Sequence, residues 1–188
     1  MKFRNPLLVV IFCFVFTSLT AQKYQSKSDV EVNTKWNGAA FSSSKTFTEN
    51  IKDIESFSFL NAILEDENLK KELLSEEMVT IFAPLDASFN SLKNNDLKEL
   101  LGDKSKISNT IKFLVVPGRI DFASIKKAVS NGKTMQMTTL SGDKLGARMK
   151  GDKVFLYDDK NNSAELIASN FYHKNGLFHI VDGLVYPN

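Results

Sequence analysis

Imidazole is the side chain best placed to move a proton near neutral pH, and the chain has two, His173 and His179. They stand six residues apart, which puts them on different faces of a helix, and neither belongs to a His-Glu-x-x-His zinc pattern. A nucleophilic hydrolase needs a base beside Ser or Cys. No Gly-x-Ser-x-Gly elbow occurs, and the single cysteine, Cys13, lies in an N-terminal apolar run. No glycine-rich loop follows a strand to cradle phosphate. The nearest metal pattern is Asp159-x-Asn161-x-Ser163, with alternating oxygen ligands as in a calcium loop. Ala164 replaces its Gly and Asn170 its terminal Glu, and a polar hairpin turn accounts for it better. These residues predict no catalytic group, no cofactor and no metal. His179 and Asp182 fall inside a dense apolar run, so both are expected to be structural, bonded to buried partners.

That run, Asn175 to Pro187, reads as a turn feeding a buried strand. Asn175-Gly176 supplies a positive-φ turn. By the period of two, Leu177, His179 and Val181 share one face, and Phe178, Ile180 and Leu184 the other. A strand apolar on both faces belongs inside a sandwich or beneath helices.

The N-terminus has the layout of a secretory signal peptide over residues 1–21. Lys2 and Arg4 are basic, Leu7 to Leu19 is apolar, and Thr20-Ala21-Gln22 is small and polar. The run is short for a membrane span. Without Lys2 and Arg4 the 24 basic residues become 22, against 22 acidic ones. A near-neutral chain lacks the basic footprint of a nucleic-acid binder. It also has no second membrane segment and no cysteine for a disulfide. About 165 residues suffice for one domain to hold by its core alone. The expected location is the periplasm or the cell exterior.

Residues 22–46 are polar and read as an arm, with Trp36 tucked onto the domain. From residue 47 helical spacing takes over. Phe57, Leu60, Ile63 and Leu64 make one short helix, and Leu69, Leu73 and Leu74 another. Met78 to Ala83 is a strand ended by Pro84, and Asp86 is expected to cap the next helix, which carries Phe89. Helices follow at Leu97 to Leu101 and Ile107 to Leu114. Asp121 caps a further one that Asn131-Gly132 ends. Period-two strands cover 133–140, 144–150, 153–157 and 164–169, with a two-residue hairpin at Gly151-Asp152. Helices first and strands later indicate α+β.

Two stretches resemble the motifs of a known family. Thr80-Ile81-Phe82-Ala83-Pro84-Leu85-Asp86-Ala87-Ser88-Phe89 looks like the first motif of the fasciclin-like domain, and Asn175 to Pro187 like the second. Val115-Val116-Pro117-Gly118 matches the element between them. The resemblance covers roughly Phe47 to Pro187, within a domain expected over residues 47–188. It implies a wedge-shaped β-sandwich with helices packed around it, and an adhesion or interaction role without a reaction. Because the resemblance pairs the two motifs, it also implies that the bulky side of the last strand, with Phe178 and Ile180, meets a corner formed by Phe82 and Phe89. The implied partner is an extracellular or envelope protein or a surface glycan. Thr80, Phe82, Ala83, Pro84, Asp86, Phe89, Asn175, Gly176, His179, Ile180 and Asp182 are then motif residues with structural roles. Where the family often carries a Tyr-His pair, in a region tied to receptor binding in animal relatives, this chain has Phe113 and Leu114. These two and Arg119 are the candidate partner contacts. Leu85 and Phe178 also depart from the usual Thr and aliphatic residue. The alternative function is a soluble binder of a small envelope ligand such as a lipid or sugar, which would need an apolar pocket.

Overall fold

The computed structural model describes residues 31–73 and 75–187. The leader expected at 1–21, with Cys13 and the cleavage point near Ala21, lies outside the described residues. A hairpin of β1 (Asn33–Trp36) and β2 (Ala39–Ser42) comes first, then helices α1 (Phe47–Ile51), α2 (Ser58–Ile63) and α3 (Glu67–Leu73). β3 (Val79–Pro84) leads into α4 (Asp86–Asn90), α5 (Asn94–Gly102), α6 (Lys104–Phe113), β4 (Val115–Pro117) and α7 (Phe122–Ala128). The strands β5 (Thr134–Thr138), β6 (Lys144–Lys150), β7 (Lys153–Tyr157), β8 (Ser163–His173) and β9 (Gly176–Asp182) close the chain.

The last strand sets the layout. β9 lies parallel to β3 and antiparallel to β8, within a 7-stranded sheet of order β4-β3-β9-β8-β7-β6-β5. β8 is long and its register against β9 shifts twice, between Leu166 and Phe171. Such bulges bend a strand and increase its twist. The sheet curls far enough for its ends to meet, and Leu140 N–H donates to the Val115 carbonyl at 2.8 Å. The sandwich is therefore one sheet folded over on itself.

Both faces of β9 are buried, as its sequence requires, and each belongs to a different core. Inside the curled sheet, Phe82 and Val181 pack with Leu145, Leu156 and Ala164, beneath Phe89, Phe113 and Ile125. On the other side, Ile81, Ala83, Phe178 and Ile180 pack with Phe41 and with the helical residues Phe47, Ile51, Phe57 and Leu60. Each fully buried aromatic or aliphatic side chain contributes ~1.5–3 kcal/mol.

The expected contact of Phe178 and Ile180 with Phe82 and Phe89 does not occur. Phe82 pairs directly with His179, and Ala83 with Ile180, in the parallel register. Directly paired residues share a sheet face, because side chains alternate along each strand. Phe82 and Phe89 therefore lie on the His179 and Val181 side. Phe178 instead centres a cluster of aromatic rings, 5.0 Å from Phe41, 5.2 Å from Phe47 and 5.2 Å from Phe171.

Part of the polar stretch 22–46 is also structured. Residues 33–42 form the β1–β2 hairpin, whose Phe41 is 0% exposed. Trp36 leans on Phe57, with ring centroids 6.5 Å apart.

Candidate functional site

The two motifs meet where β3 and β9 run side by side, and together they fix the loop that follows β4. Thr80 Oγ1 donates to the Gly118 carbonyl at 2.8 Å and accepts from Ile120 N–H at 2.8 Å. Gly118 N–H donates to the Met78 carbonyl at 2.7 Å. His179 reaches the same loop from β9, with Nε2 2.9 Å from the Ile120 carbonyl. Its Nδ1 accepts from Asn170 N–H at 3.3 Å. An accepting Nδ1 leaves the proton on Nε2, so the neutral ring donates to Ile120. Burial pushes the ring's pKa down to about 4, against the opposing pull of the Ile120 carbonyl and the Asp121 carboxylate. The ring also stacks on Phe82, centroids 5.4 Å apart.

Asn170 completes the clamp. It has φ +64° at the β8 irregularity, and its Oδ1 accepts from Phe122 N–H at 2.9 Å. Asp121 Oδ1 accepts from Ser124 N–H at 2.7 Å, the expected cap of α7. This bond holds the Asp121 carboxyl below the usual range. The loop 117–121 and Phe122 at the start of α7 are thus held from three strands, and Arg119 faces solvent. The Arg119 guanidinium lies 5.7 Å from the centroid of the Tyr172 ring.

The other motif residues are placed as follows. Ile180, Ala83 and Phe89 are 0% exposed and serve packing. Pro84 ends β3 in the buried sheet. The Asn175 carbonyl accepts from Val79 N–H at 2.9 Å, in a turn whose second member it is. Gly176 follows with φ +148°. A Cβ there would stand 2.0 Å from the Val79 carbonyl oxygen, so only glycine lets β3 approach. Ser88 ties the motifs from α4, its Oγ accepting from Gly183 N–H at 2.9 Å.

Two acidic residues act differently from the sequence-based expectation. Asp86 does not cap its own helix. Its carboxylate accepts from Ser58 N–H at 3.1 Å and Phe59 N–H at 2.9 Å, capping the neighbouring α2. As the first residue of α4 it is one position too late to cap that helix, and the free N–H groups of α2 lie within its reach. Asp182 is exposed at the end of β9, where burial has already lapsed, so it is not a buried acceptor.

The buried acceptor is Asp158, 3% exposed, which the sequence pattern did not single out. It receives Lys160 N–H, Asn162 N–H and Nδ2, and Tyr186 N–H, all at 2.8–3.0 Å. The Asp159 to Ser163 stretch is accordingly a turn organised by its neighbour. Its polar run was legible, but the partner Tyr186 lies 28 residues away. Asn170 was missed because the alternating pattern ends at Ser169, and Tyr172 because β8 extends past it.

Of the candidate contacts, Phe113 and Leu114 are each 1% exposed and offer no surface to a partner. They face inward because α6 ends there and packs into the enclosed core. Arg119 alone of the three is exposed. His173 is 2% exposed and burial pushes it down to about 4. Among the described residues no three His, Cys, Asp or Glu groups converge as a metal site would require, and no helix is long and apolar enough to cross a membrane. An apolar cleft of about 590 Å³ opens between α2–α3 and α5–α6, lined by Phe59, Ile63, Leu69, Leu101 and Ile107, with Lys104 at its edge.

Comparison with known proteins places this geometry. The fasciclin domain description matches residues 55–187. Protein sll1483 of Synechocystis sp. is 29% identical over 151 residues, covering 79% of this chain and 77% of that protein. Human periostin is 27% identical over 143 residues, 76% of this chain but 16% of periostin. The pig transforming growth factor-beta-induced protein ig-h3 is 25% identical over 142 residues, 76% of this chain and 19% of that protein. The chain thus spans under a fifth of these two animal relatives. A solved FAS1 domain pair from the insect cell adhesion molecule fasciclin I superposes with a TM-score of 0.57 at 19% identity, covering 69% of this chain and 45% of that one.

Proposed function

The chain belongs to the fasciclin domain family, and from that premise we propose that it is an exported, non-enzymatic adhesion or interaction module. It binds an extracellular or envelope protein, or a surface glycan, and works in the periplasm or outside the cell. The observation that carries this reading is the clamped loop 117–121, which holds Arg119 in the open over Tyr172. A rigid loop loses little entropy on binding, and Arg and Tyr are the residue types that dominate interface energetics. The solved domain pair from an insect cell adhesion molecule shares this fold. The test is capture of partners from the source envelope with the exported protein and with Arg119→Ala. The variant should keep its melting temperature and lose the partner; equal capture would overturn the assignment to this loop.

A second reading, a binder of a small apolar envelope ligand, is favoured by the cleft of about 590 Å³, a volume ordinary for small-molecule sites. Leu101, 39% exposed at its wall, gives the probe: Leu101→Arg should abolish binding of a fluorescent fatty acid, and no binding by the unaltered protein would end this reading.

A further inference from the structure

The strands β5, β6 and β7 bury one face in the enclosed core through Met137, Leu145, Ala147, Val154 and Leu156. Their outer face carries a different chemistry. The register lines up Gln136, Gly146 and Tyr157 across the three strands, and beside them Thr134, Arg148 and Phe155. Gly146 has a spatial purpose: a Cβ there would lie 2.3 Å from Tyr157 Cζ, so the phenol ring rests on bare backbone. Gln136 Nε2 donates to the Tyr157 hydroxyl at 3.1 Å and fixes the ring's rim. The Arg148 guanidinium carbon lies 4.7 Å from the ring centroid.

Arg148 forms no salt bridge among the described residues, and neither do Lys144 or Lys150 on the same strand and face. Lys144 is bonded to the Thr138 hydroxyl. The nearby Glu165 is occupied by Lys153 at 2.8 Å, while Asp182 pairs opposite Glu165 in the ladder and Asp152 sits at the β6–β7 turn. Alternate residues of a strand are ~7 Å apart. Lys144, Arg148 and Lys150 therefore form a cationic row ~20 Å long, with the Tyr157 ring opposite its middle.

We infer that this face binds an acidic polysaccharide. A guanidinium seated on an aromatic ring is pre-organised and presents a fork that matches a carboxylate in two hydrogen bonds. A polymer carrying one carboxylate per sugar can meet several cations of the row in turn, and its sugar rings can lie against the Tyr157 and Phe155 edges. Cations spread along ~20 Å of one strand suit a polymer with a charge at every repeat better than a protein epitope, whose energy gathers in a few central residues. The inference rests on the reading that the domain binds without reaction, and is independent of the Arg119 loop.

The test is equilibrium binding of the exported protein to polygalacturonate across a salt series, with neutral dextran and oligothymidylate alongside. Polygalacturonate should bind, weaken as salt rises, and be preferred to both other polymers. The double variant Arg148→Gln, Lys150→Gln should bind at least ~10-fold more weakly with an unchanged melting temperature. Tyr157→Ala should weaken binding by releasing Arg148, and Arg119→Ala should not. Equal binding by the double variant, equal binding of dextran, or tighter binding of oligothymidylate would each overturn the inference. If polygalacturonate is ignored while an envelope partner is still captured through Arg119, this inference falls and the interaction-module reading stands. If polygalacturonate binds through Arg148 and no partner is captured through Arg119, the loop assignment falls instead.

Discussion

Replacing His179 by Ala separates packing from binding. The ring is 0% exposed and makes two hydrogen bonds, to the Ile120 carbonyl at 2.9 Å and from Asn170 N–H at 3.3 Å. Its removal strands two backbone groups, each costing ~1–3 kcal/mol when left unpaired, and forfeits the stack on Phe82. A loss of about 2–5 kcal/mol at pH 7 follows. The pH dependence sharpens the test. The folded pKa is about 4 against an ordinary 6.5, so the unfolded state binds the extra proton between these values. Stability from this group is fully present above pH 6.5, falls as the pH drops, and is exhausted below about 4. At pH 5 the native protein has lost about 2 kcal/mol through His179 and the variant has not. The penalty for His179→Ala should therefore shrink by about 2 kcal/mol between pH 7 and pH 5 in denaturant titrations. An equal penalty at both pH values would refute the neutral buried ring, and no penalty at pH 7 would refute the clamp.

Gly176→Ala should leave the protein unable to fold, since its Cβ would stand 2.0 Å from the Val79 oxygen; a native circular dichroism spectrum for the variant would contradict the close β3–β9 approach. Asp86→Ala should cost ~0.5–2 kcal/mol and raise amide exchange at Ser58 and Phe59 rather than in α4, as hydrogen exchange by NMR would show. Asp158→Ala strands the Lys160, Asn162 and Tyr186 amides and should cost ~2–4 kcal/mol in chemical denaturation, with release of the C-terminal segment seen as faster proteolysis there.

What could be read in the sequence was local. β6 and β7 begin and end where the period of two begins and ends, and Asp121 caps the helix it precedes, because each depends on neighbours a few residues away. The family motifs located the seam of the fold for the same reason. What was hidden depends on partners distant along the chain. That Asp86 serves α2 and not α4 depends on where two helices pack, 28 residues apart in sequence. That Phe82 faces His179 and not Phe178 depends on a parallel register, which slips every side chain to the other face if it moves by one residue. The β1–β2 hairpin has too little apolar sequence of its own to stand alone. It holds because Phe41 enters an aromatic cluster supplied by β8 and β9. The sites follow the same rule: Arg119 and Tyr172, or Arg148 and Tyr157, look like scattered surface residues until the register brings each cation over its ring. The residues that pack carry a pattern in one dimension, whereas the surfaces proposed to bind exist only once the sheet has curled.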